Sequence, residues 1–80
     1  MEVQYYALEK YSRAFTKWEI IRPYSMDDFD RCNREFTILN DYGDAFYRIA
    51  LYTWVDDLGW SAKGIKMSTI WDIMSKNQKQ

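Results

Sequence analysis

Apolar positions crowd most densely between Asp44 and Gly59, in the stretch D-A-F-Y-R-I-A-L-Y-T-W-V-D-D-L-G. Tyr47, Leu51, Trp54, Val55 and Leu58 recur at the i, i+4, i+7, i+8, i+11 spacing of one helix face. Phe46, Ile49 and Ala50 widen that face until only Arg48, Thr53, Asp56 and Asp57 are clearly polar. A helix apolar around so much of its circumference packs on more than one side. The pattern therefore predicts a central helix over residues 44–58. Asp44 suits its N-cap, Gly59 suits the left-handed residue that closes its last turn, and Trp60 suits the apolar position that folds back on the helix end.

The same period appears on either side. From Ala7 to Ile21 the apolar residues Ala7, Leu8, Tyr11, Ala14, Phe15, Trp18 and Ile21 share one helical face, and Glu9 and Arg13 stand at i, i+4. Pro23 would stop that helix near Ile21. The competing pattern is a β-hairpin, 3–10 paired with 16–22, favoured by the runs Y-Y and W-E-I-I. Its turn, Y-S-R-A, has no Gly, Asn, Asp or Pro to supply turn geometry, which favours the helix. Ser25, followed by Asp27 and Asp28, reads as an N-cap with acids in the first turn. Phe29, Cys32, Phe36 and Leu39 then form a stripe that Gly43 can end. A minority pattern instead pairs F-T-I-L-N with A-F-Y-R-I across D-Y-G-D. After an irregular W-S-A-K-G-I-K-M, a last helix starts near Ser68 with Met67, Ile70, Trp71 and Met74 on one face. The expected architecture is all-α, four short helices around the 44–58 helix. The alternative is α+β, an N-terminal hairpin followed by helices.

Composition changes this picture in two ways. Eighty residues make one domain, 1–80, and a chain this short has a thin stability margin. Fifteen of those residues are Phe, Tyr or Trp, more rings than one small core can hide. Some rings are therefore expected on the surface or at an interface, where Tyr and Trp are enriched.

Charge narrows the function classes. Eleven basic and twelve acidic residues leave a net charge of −1, with no overall field to favour nucleic acid or an acidic membrane. No apolar run approaches the roughly 20 residues of a membrane span, and M-E-V-Q-Y-Y has no signal-peptide character. One cysteine, Cys32, leaves no intrachain disulfide, and the expectation is a cytoplasmic setting. There is no histidine, the commonest general base and metal ligand.

Few residues are candidates for chemistry. Cys32 lies on an apolar stripe, where a thiol is inert. Asp27, Asp28 and Asp30 diverge around a helix axis and read as helix-start acids rather than a metal site. Asp56 and Asp57 would oppose the dipole of a helix ending at Leu58, which points to a basic partner, Lys63 or Lys66 inside the fold or a surface outside it. No phosphate loop, nucleophile elbow or paired-cysteine motif is present, so no enzyme, metal or cofactor is expected. If Gly59 is a turn glycine, residues 54–70 match a helix-turn-helix, with Lys63 and Lys66 offered to DNA.

The function expected from these residues is a small non-catalytic protein-binding domain, acting as an adaptor, inhibitor or regulator. Its partner, another protein or a second copy of the chain, would be held by aromatic anchors. Tyr5, Tyr6, Tyr24 and Trp60 are the candidates, since they lie at helix ends or off the main apolar faces. The rival is a DNA-binding regulator built on residues 54–70.

Overall fold

A computed structural model describes residues 3–78. Strand β1 (Val3–Ser12) turns back into β2 (Lys17–Tyr24). A single 3-10 turn (Met26–Asp28) leads into helix α1 (Phe29–Tyr42). Strand β3 (Tyr47–Val55) then turns back into β4 (Gly59–Gly64), and helix α2 (Met67–Gln78) follows. The strands form one antiparallel sheet in the order β2-β1-β3-β4.

This overturns the all-α expectation. Residues 44–58 are not a central helix but the central strand β3 and its turn. A nearly continuous apolar run fits a strand covered on both faces as well as it fits a buried helix. Between those two, Tyr47, Ile49, Tyr52, Thr53, Trp54 and Val55 are the β-branched and aromatic residues that favour the strand. Leu51 is accordingly only partly buried against the core, and Trp54 stands exposed, rather than both being sunk inside a central helix. The D-D-L-G sequence read as a helix end closes a hairpin instead. Leu58 N–H donates to Val55 O at 3.0 Å, Asp57 has φ 74° and Gly59 φ 81°. Aspartate and glycine tolerate that left-handed region, so the same residues serve either structure.

Nor do residues 7–21 form a helix. The hairpin alternative is present over wider bounds, with Tyr11 opposite Trp18 and Tyr6 opposite Tyr24. Its turn works without glycine because Ser12 Oγ accepts from Phe15 N–H and Thr16 takes φ 49°. Pro23, read from sequence as a helix stop, sits in the edge strand β2, the kind of strand that tolerates a residue without an N–H. The pairing of F-T-I-L-N with A-F-Y-R-I is absent. The first run lies in α1, and β3 pairs with β1 from Tyr47 onward.

Both hairpins leave one sheet face to the helices. Phe29, Cys32 and Phe36, the stripe read from sequence, are the buried side of α1 and pack on Leu8, Ile49, Tyr6 and Tyr24. The α1–β3 return is tight at Gly43, where a Cβ would lie 2.4 Å from Leu39 O and from the Tyr47 ring. On β2, Arg22 Nη1 bonds Glu35 of α1 at 3.0 Å, and Tyr24 O–H donates to the other oxygen of the same carboxylate. Of the expected face of helix α2, Ile70 and Met74 pack on the core, joined by Ile73, while Met67 and Trp71 do not. Trp71 points away from the core at 70% exposure, and Met67 is exposed too. No described helix is long and apolar enough to cross a membrane.

Candidate binding surface

Side chains alternate across a strand, so the other face of the sheet collects Tyr5, Ala7, Glu9 and Tyr11 from β1. The register adds Arg48, Ala50, Tyr52 and Trp54 from β3, Trp18 from β2 and Trp60 from β4. Neither described helix covers this face, since both pack on the opposite one. It covers itself with rings. Tyr5 stacks on Tyr52 with centroids 4.9 Å apart and planes 6° from parallel. Trp60 meets Tyr5 edge-on at 5.1 Å and Trp54 at 5.4 Å, while Tyr11 meets Trp18 at 5.3 Å. Ala7 and Ala50 lie fully buried among them, small enough to let the rings close over the sheet centre.

Beneath the rings lies a carboxylate. Glu9 is 0% exposed, on a sheet face that carries no second layer. Arg48 Nε donates to Glu9 Oε1 at 2.7 Å, and the Tyr52 hydroxyl donates to Glu9 Oε2. The guanidinium carbon of Arg48 sits 4.4 Å from the Trp18 ring centroid, in cation–π contact. On its other side Arg48 runs over Gly64, where a Cβ would come within 3.2 Å of Nη1. Burial, then the bond to Glu9, pushes the Tyr52 hydroxyl up to about 12, so it remains a protonated donor. Both oxygens of Glu9 are engaged, which makes the cluster a rigid base for the rings.

Of the four anchor candidates read from sequence, two belong to this surface. Tyr5 is half-buried within the stack, and Trp60 stands at its edge, 48% exposed. Tyr6 and Tyr24 are on the helix face and buried in the core. Trp54, 38% exposed, was overlooked as an anchor because a helix would have hidden it. Its indole N–H donates to Asp56 at 3.2 Å, which holds the ring at the hairpin end. Glu9 and Arg48 were also missed as a pair. They lie 39 positions apart, and only the β1–β3 register, which sets them directly opposite, brings them together.

Residues 54–70 do not form a helix-turn-helix. They run as strand, tight turn, strand and the start of α2, so Lys63 lies on β4 and no recognition helix carries it. Lys63 and Lys66 line a cavity under α2 on the helix side of the sheet. The inward partnership of Asp56 and Asp57 with these lysines is absent, and Asp56 accepts from Trp54 instead.

Cys32 is buried, and its thiol is pushed up to about 12, first by burial and then by the Glu35 and Asp28 carboxylates. Asp28 pairs with Arg31 at 3.7 Å, and the described residues hold no cluster of three or more His, Cys, Asp or Glu able to bind a metal. No family model, curated protein or solved structure matches the chain.

Proposed function

We propose that the protein is a non-catalytic binding domain whose uncovered sheet face docks another protein, as an adaptor, inhibitor or regulator working in the cytoplasm. The observation that carries this reading is the pair Trp54 and Trp60. They pack edge to face, both more than a third exposed, beside the Tyr5–Tyr52 stack on a face with no second layer. Rings fixed by their neighbours lose little freedom on binding, which suits them to act as anchors. The engaged Glu9 carboxylate and the buried, protonated Cys32 thiol support a role without catalysis.

A second reading keeps nucleic acid as the partner, through the rings rather than a recognition helix. What favours it is the platform itself, since an aromatic sheet face can stack single-stranded bases. The net charge of −1, and the acids Asp56 and Asp57 at the Trp54–Trp60 end, favour a protein.

Capture from the source cell, followed by mass spectrometry, tests both. Trp60→Ala and Trp54→Ala should each weaken retention of the partner by about 2 kcal/mol or more while moving the melting temperature little. Lys63→Ala with Lys66→Ala should leave retention intact. Retention that survives both ring variants would overturn the proposal. Capture of nucleic acid with a steep salt dependence would transfer it to the second reading.

A further inference from the structure

The cavity under α2 has a lining that the sheet face leaves unexplained. It is an open-sided cleft of about 330 Å³ between α2 and the β3–β4 side of the sheet, within the size range of small-molecule sites. Leu51, Ile65 and Ile73 form an apolar wall, and Lys63 and Lys66 stand on the rim. None of the lining residues is acidic. Neither lysine forms an ion pair with a described residue. Helix α2 begins immediately after Lys66, so the positive end of its dipole adds to the same rim.

Tyr6 adds a polar group to the cavity wall. It is only 7% exposed, with its ring held edge-on to Phe29 at 4.8 Å. Its hydroxyl bonds to no described residue, although every fully buried side-chain nitrogen or oxygen among them has a partner. The hydroxyl therefore retains access to open space, and Tyr6 lines this cavity. Burial raises its pKa, so it stays a donor through the neutral range.

We propose that this cavity binds a small amphipathic oxyanion, a carboxylate or phosphate head group on a short apolar body. Lys63, Lys66 and the Tyr6 hydroxyl hold the head group. Leu51, Ile65 and Ile73 hold the body. The site lies on the opposite side of the sheet from Trp54 and Trp60, so it functions independently of the docking face.

The test is a ¹⁵N–¹H correlation titration of the full chain with sodium octanoate, octyl phosphate and 1-octanol. Octanoate or octyl phosphate should produce saturable shifts at the Gly64, Ile65, Lys66 and Thr69 amides, and the tighter of the two names the head group. Octanol should bind at least about tenfold more weakly, as loss of one charge-assisted contact set implies. The double variant Lys63→Gln/Lys66→Gln, whose changes are on the surface, should weaken binding by about tenfold or more without disturbing the rest of the spectrum. Tyr6→Phe, which keeps the ring on Phe29, should weaken it several-fold. No saturable shift at these amides, octanol binding as tightly as octanoate, or shifts confined to the Trp54 and Trp60 indoles would each overturn the proposal.

Discussion

Thr16 sits at φ 49°, a region that a β-branched side chain enters only under constraint. Pairing of Ser12 with Lys17 imposes it, since the four-residue loop between them must reverse the chain. Strand pairing on either side outweighs a local penalty of about 1–2 kcal/mol. That balance explains why a turn without Gly, Asn, Asp or Pro misleads a local reading: the residues that hold the hairpin lie outside the turn. Thr16→Gly removes the penalty and returns some of it as added entropy of the unfolded chain. The variant should be stabilised by about 0.5–1 kcal/mol, read as a higher urea midpoint with an unchanged slope. An unchanged or lower midpoint would mean that the loop relaxes around Thr16 without strain. Gly59 shows the opposite kind of ambiguity, because its preference for positive φ was legible while the element it closes was not.

At the scale of elements, strand β1 is tied to β3 by Glu9 and Arg48 as well as by the ladder. In sequence Glu9 looked like half of an i, i+4 helical pair with Arg13, and its true partner is invisible until the register is known. Helix α1 was legible for a contrasting reason. Its Phe29, Cys32 and Phe36 stripe faces one layer only, so the period survives undiluted. β3 has apolar or aromatic neighbours on both faces, and that erased the period-2 alternation that would have marked it. The ion pair makes a paired prediction. Glu9→Gln leaves Arg48 without its counter-charge and should destabilise by about 3 kcal/mol, the lower end for a broken buried pair because Arg48 is partly exposed. Glu9→Leu combined with Arg48→Met replaces both charges by apolar groups and should recover most of that loss in chemical denaturation. A double variant less stable than Glu9→Gln would show that the Trp18–Arg48 contact, not the carboxylate, holds this part of the face.

For the molecule as a whole, one sheet divides two interiors, a helix-packed core and a ring-covered outer face, and each buries groups that must stay neutral. Tyr24 and Cys32 lie on the core side and Tyr52 on the outer side. Burial is the first cause in all three, and it pushes each of them up to about 12, from ordinary values of 10.0, 9.0 and 10.0. Glu35 reinforces the shift at Tyr24 and Cys32, and Glu9 does so at Tyr52. An acid with a raised pKa in the folded state binds its proton more tightly there than in the unfolded chain. Its contribution to stability is therefore complete below the unfolded value and disappears as pH climbs through the folded one. The thiol begins to withdraw its share above pH 9.0 and the two phenols above 10.0, all three being spent near 12. Urea midpoints measured from neutral pH upward should hold nearly level as far as these groups are concerned and then fall between about pH 9 and 12. Absorbance of ionised tyrosine should show a late fraction that appears together with unfolding. Tyr52→Phe should lessen the alkaline fall, since one of the three groups no longer titrates. A midpoint that stays level to pH 11.5, or a tyrosine titration completed while the fold persists, would place these hydroxyls in water rather than against Glu9 and Glu35.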